Sequence, residues 1–154
     1  MHKQLTVKTL IFTTIECVLS FILFTFVNVC YGIEPVDLNA LGNKCANGEP
    51  QSCGKLGSHY YWGEVVPVNI DKAEILFKKA CDGGVSERCY QLGTLYEDDK
   101  RNVFKAFDAY SKACQSGYLS GCSSLASIFY YGKGVQIDLQ KAAELYQKVC
   151  ELGK

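Results

Sequence analysis

Three stretches decide the fold: CANGEPQSCGKLGSHY at 45–60, CDGGVSERCYQLGTLY at 81–96 and CQSGYLSGCSSLASIF at 114–129. Each holds two cysteines eight apart, Cys45/Cys53, Cys81/Cys89 and Cys114/Cys122. Three residues after the second cysteine stands a leucine (Leu56, Leu92, Leu125), followed by a small residue (Gly57, Gly93, Ala126). An aromatic ring (Tyr60, Tyr96, Phe129) closes each stretch. Outward from these blocks, Lys72-Ala73, Lys105-Ala106 and Lys141-Ala142 open the next half of each unit, and Phe77, Tyr110 and Tyr146 follow each alanine by four residues. Lys79, Lys112 and Lys148 precede the next first cysteine by two, and first cysteines recur at 45, 81, 114 and 150. A fixed period of this length marks a repeat architecture.

Each unit reads as two helices. Leu56 and Tyr60, or Leu125 and Phe129, share one helix face at i, i+4. Ala73, Leu76, Phe77 and Ala80 form the i, i+3, i+4, i+7 stripe of a second amphipathic helix. The loops between them end in Asp71 or Asp138, which suit an N-cap. Unit two lacks three loop residues, so 97–102 should turn more tightly. Gly48, Gly84, Gly117 and Gly153 stand three past each first cysteine, where a helix ending in a left-handed residue favours glycine. The predicted fold is all-α: a short, right-handed solenoid of α/α hairpins over 33–154. Its units are about 53–88, 89–121 and 122–154, preceded by a partial unit. Disulfides Cys45–Cys53, Cys81–Cys89 and Cys114–Cys122 would each tie the end of one helix to the start of the next. Closing such a loop is worth about 2.5 kcal/mol in the chain-entropy picture.

The rest of the composition sets the compartment and removes whole classes of function. The chain has 154 residues with equal basic and acidic counts of 16. That balance offers no excess for phosphate contacts, so nucleic acid is not an expected partner. Lys3 and Lys8 precede an apolar run that is densest from Cys17 to Val27, with Gly32 after it. A charged start, an apolar stretch of this length and a small residue read as a secretory signal over 1–32. The run reaches the length of a bilayer-spanning anchor only by including Glu16, so membrane attachment is expected only through an uncleaved leader. Without the leader, seven cysteines and one histidine, His59, remain. Such cysteine density in an exported chain implies disulfides and a secreted or periplasmic location.

These residues resemble a known family. Cysteines eight apart, Leu-Gly and Tyr after the second, Gly-Lys-Gly-Val at 132–135, and Lys-Ala…Tyr-x-Lys-x-Cys are similar to Sel1-like repeats. More narrowly they resemble the disulfide-bridged Helicobacter cysteine-rich proteins, the cysteine-rich β-lactamase family, from about Asp37 to Lys154. That resemblance implies binding of penicillin-type β-lactams and possible hydrolysis of them. Related cysteine-paired repeats serve as assembly factors in mitochondria, so the repeat alone leaves a non-catalytic scaffold for a protein, peptide or cell-wall fragment as the alternative.

The residues themselves show little catalytic machinery. Zinc prefers cysteines two to four apart with further ligands; here the spacing is eight, and neither a metal nor a cofactor is expected. A serine β-lactamase carries S-x-x-K together with S-D-N and K-T-G. One S-x-x-K occurs, Ser52 to Lys55, without the companions; about one such match arises by chance. Ser52 also reads as an N-cap. His59 takes a slot held by Leu95 and Ile128 in the other units, so it reads as a packing residue.

The aromatic trios Tyr60-Tyr61-Trp62 and Phe129-Tyr130-Tyr131 end the first helices of units one and three. Tyr60 and Phe129 belong to the core stripe. Tyr61, Trp62, Tyr130 and Tyr131 are candidate binding residues, because such side chains bury much area while keeping a polar tip. Glu97 replaces Tyr61 and Tyr130 in unit two and would add a charge to the same groove. Cys150 occupies the first position of a fourth pair whose partner would fall at position 158. It is therefore expected to be unpaired, the chain being a truncated member of a longer repeat family, or to pair with another molecule.

Overall fold

Seven helices follow one another in a computed structural model that describes residues 36–99 and 101–153. The leader lies outside the described residues. The helices are α1 (Leu38–Ala46), α2 (Pro50–Trp62), α3 (Ile70–Asp82), α4 (Ser86–Asp98), α5 (Val103–Gln115), α6 (Leu119–Tyr131) and α7 (Leu139–Leu152). No strand occurs among the described residues. None of these helices is long and apolar enough to cross a membrane. Asp37–Lys154 forms one compact unit, an α/α solenoid in which α2, α4 and α6 are first helices and α1, α3, α5 and α7 second helices.

Every helix packs on its neighbours in sequence, and a smaller contact joins the first helices α4 and α6. α3, α5 and α7 therefore each lie on the first helix of their own unit, and α1, α3 and α5 on that of the next. The core runs through these seams. Phe77, Leu95 and Ile128 are its largest fully enclosed side chains, and burying each contributes about 1.5–3 kcal/mol.

The three disulfides join Cys45–Cys53, Cys81–Cys89 and Cys114–Cys122, with Cα–Cα separations of 4.6, 4.6 and 4.4 Å. Each closes the turn between a second helix and the next first helix. Gly48, Gly84 and Gly117 stand in those turns at φ 89°, 88° and 82°, a left-handed conformation that costs glycine nothing. Gly153 does not share it. Its φ is −88°, and its N–H still donates to Val149 O in a helical i→i−4 bond, because α7 runs one residue further past its cysteine than the other second helices do.

The loops inside the units differ in length yet close alike. The N–H groups of Asn69, Asn102 and Asp138 donate to the carbonyls of Tyr60, Tyr96 and Phe129 at 2.8, 2.7 and 3.0 Å. Each of these residues then caps the following helix, its side chain accepting from the N–H three residues on (Lys72, Lys105, Lys141). Asn69 is thus the cap of unit one, and Asp71 lies inside the first turn of α3. The loop length misled the reading there; counting back from the Lys-Ala pair gives the true register. In unit two the shortened turn is made by Arg101 at φ 46°.

Glycine has a second use in the seams. A Cβ on Gly57 would stand 2.8 Å from the Phe77 ring, and one on Gly93 2.5 Å from the Tyr110 ring. The rings of the second helices lie directly on first-helix backbone at these points.

Candidate functional site

Second helices are spaced apart, and the gaps between them open into a cleft of about 880 Å³ across α3, α5 and α7. Its apolar lining includes Leu92 and Tyr96 from α4, Phe107 from α5, Leu125 and Phe129 from α6, and Leu145 from α7. Phe107 meets Phe129 edge to face at 5.7 Å between ring centres. Charged side chains from three units line the same cleft: Glu74, Lys78, Asp82, Lys105, Asp108, Lys112, Lys141 and Lys148.

Ion pairs staple α3 to α5 at two levels. Lys112 Nζ stands 2.9 Å from the Asp82 carboxylate, which also receives Lys78 at 2.6 Å. The bonds from Lys78 and then Lys112 hold the Asp82 carboxyl below its usual range. One end further along, Glu74 accepts from the Tyr96 hydroxyl at 2.9 Å and lies 3.7 Å from Lys105 Nζ. Burial first, and then the bond to Glu74, push the Tyr96 hydroxyl up to about 12. Lysines also lie over the core rings in every unit: Lys72 over Tyr60, Lys105 over Tyr96 and Lys141 over Phe129, at 4.9, 5.1 and 4.6 Å.

The aromatic candidates lie elsewhere. Trp62, Tyr130 and Tyr131 are 63%, 50% and 66% exposed at the ends of α2 and α6, and none of them lines the cleft. Tyr61 is half-buried against Phe77, with ring centres 5.9 Å apart. Burial first, then the charge of Asp99 and a hydrogen bond to it, push its hydroxyl up to about 12.

Glu97 joins units two and three. Its carboxylate accepts from the Tyr110 hydroxyl at 3.0 Å and from Lys133 Nζ at 2.6 Å. Burial raises its pKa, but the Lys133 and Tyr110 bonds outweigh that and leave it below the ordinary carboxylate value. A depressed folded-state pKa contributes stability above the unfolded value, near 4.3, and loses it as pH falls through the folded value. The stability gap between wild type and Glu97→Gln is expected to be largest at neutral pH and to narrow below about pH 4. Urea midpoints of both proteins at pH 7 and pH 3 check this; a gap of constant size would show that the ion pair contributes nothing.

Ser52 and Lys55 do not share an environment. Ser52 is inside α2 and only 3% exposed. Lys55, three residues on, is exposed. Ser52 is not an N-cap either: Pro50 opens the helix, and Glu49 precedes it. His59 is half-buried, and its Nδ1 has no hydrogen-bond partner among the described residues. No group of three or more metal-ligating side chains comes together among the described residues. Cys150 is an exposed free thiol.

Two-helix units joined by bridged turns make this chain an α-solenoid of disulfide-stapled repeats. It matches the Sel1 repeat over residues 50–85, 87–118 and 119–154 and belongs to that family. It is similar to cytochrome c oxidase assembly factor 7 of Xenopus tropicalis, 33% identical over 117 residues, covering 70% of this chain and 51% of that protein. The chain thus spans about half the length of that relative. Among solved structures, cysteine-rich protein B of Helicobacter pylori aligns with TM-score 0.58 and 27% identity, over 77% of this chain and 92% of that one. A Sel1 repeat protein from Oxalobacter formigenes aligns with TM-score 0.70 and 22% identity, over 76% and 49%; it supports the fold alone.

Proposed function

We propose that this chain is a non-catalytic scaffold that holds a segment of a partner protein in the cleft across α3, α5 and α7, in an oxidising compartment. The cleft carries the reading. It has an apolar floor and a charged rim, the composition of a surface that takes side chains from another chain. A relative named as an assembly factor supports a binding role, and three disulfides suit an oxidising setting. The β-lactam activity implied by the resemblance lacks comparable support, because the hydroxyl of Ser52 is enclosed and Lys55 faces solvent.

Panning a random peptide library on the oxidised protein tests this reading. Enriched peptides are expected, and they should perturb backbone amide NMR signals of α3, α5 and α7. Nitrocefin turnover is expected to stay at the buffer level. Absence of any enriched peptide would overturn the scaffold reading, as would nitrocefin turnover abolished by Ser52→Ala.

A further inference from the structure

The cleft has two furrows, and they differ in one respect. Between α3 and α5, Lys105 and Lys112 each face a carboxylate on the preceding second helix, Glu74 and Asp82. The repeat register carries these four positions into the furrow between α5 and α7. There Lys105 becomes Lys141 and Lys112 becomes Lys148, so both cations are kept. Glu74 becomes Phe107 and Asp82 becomes Gln115, so both carboxylates are gone. The ring beneath changes in step: the Tyr96 hydroxyl bonds Glu74, whereas Phe129 has no hydroxyl and meets Phe107 edge to face.

No carboxylate lies within ion-pair distance of Lys141 or Lys148 among the described residues. Lys141 has only the face of Phe129, at 4.6 Å. Asp108 also lines the cleft, but it is exposed and outside pairing distance of both lysines.

We infer that the α5–α7 furrow binds an acidic segment of the partner protein, whose carboxylates take the places of Glu74 and Asp82. This inference rests on the scaffold reading above. Lys141 and Lys148 are two helical turns apart, about 10.5 Å along α7. In a polyproline II segment, which repeats every three residues, side chains three apart share one edge of the chain and stand about 9 Å apart, while those between them turn to the other edges. The fitting pattern is therefore two Asp or Glu residues at i and i+3, with an apolar side chain between them seated on Phe107, Phe129 and Leu145. Such a segment meets an apolar floor and two unpaired cations at once, which like-charged or purely apolar segments do not.

The peptides selected by panning test it, together with a synthetic probe carrying Glu-Leu-Phe-Glu and a control carrying Lys-Leu-Phe-Lys. Selected sequences are expected to be enriched in the acidic i, i+3 pattern. The Glu probe should shift the amide signals of α5 and α7 in a saturable way and the Lys control should not. Lys141→Glu/Lys148→Glu should weaken the selected peptides by about tenfold while still melting cooperatively within a few degrees of wild type, since neither lysine has an ion-pair partner in the free protein and Lys141 gives up only its contact with the Phe129 face. Selected peptides without acidic residues, or unaffected by the double reversal, would overturn the inference and leave the scaffold reading standing. Failure to select any peptide would remove both.

Discussion

Reducing the three disulfides is expected to unfold most of this chain at physiological temperature. Each bridge closes a loop with a sequence separation of 8, and loops of that size give about 2.5 kcal/mol each in the chain-entropy picture. Three bridges together approach the whole stability of an ordinary domain, about 5–15 kcal/mol. The position of the bridges matters as much as their number. Each one spans the turn between units, so it fixes the angle at which a second helix meets the next first helix. Circular dichroism during thermal melting, with and without reductant, measures the effect. A melting temperature unchanged by full reduction would mean that the seams hold without covalent help. Among removals of one bridge, Cys81→Ser with Cys89→Ser should cost more than Cys45→Ser with Cys53→Ser, because Cys81 and Cys89 lie in the main core whereas Cys45 and Cys53 belong to a small cluster with Ala80.

The fold was legible in the sequence because its determinants are short-range and repeat. Cysteines eight apart, a leucine three later and an aromatic four beyond that recur in fixed register, and each has one structural task. Even the loops, which vary in length, converge on one closing bond from Asn69, Asn102 and Asp138. The cleft was harder to see. Its charged residues lie on three second helices up to 74 positions apart, Glu74 to Lys148, and none belongs to a conspicuous run. Runs such as Tyr60-Tyr61-Trp62 drew attention to first-helix ends instead, where Tyr61 turns inward onto Phe77. The usable signal lay in the mismatch between units. Lysines hold their register while Glu74 and Asp82 give way to Phe107 and Gln115, and such a broken pairing inside a regular repeat marks where the chain leaves a charge for something else.

Phe77→Ala is expected to be the most damaging single truncation, costing about 3–5 kcal/mol, whereas Tyr146→Ala at the same repeat position should cost well under half of that. The repeat register alone makes the two equivalent. The structure separates them by what lies opposite. Phe77 is fully enclosed and rests on Gly57, where a methyl group would stand within 2.8 Å of its ring. Tyr110 is 2% exposed over Gly93 in the same way. In unit three the repeat register puts Ala126 where Gly57 and Gly93 stand, and Tyr146 is 39% exposed with its hydroxyl 2.9 Å from Ser127 Oγ. The glycine, more than the ring, then sets how tightly a unit closes. Gly93→Ala should accordingly displace Tyr110 and cost about 1–3 kcal/mol, even though alanine is intrinsically the better helix former by about 1 kcal/mol. Urea unfolding of the three variants gives the comparison. Equal losses for Phe77→Ala and Tyr146→Ala, or a stabilising Gly93→Ala, would show that the rings seat equally well without glycine beneath them.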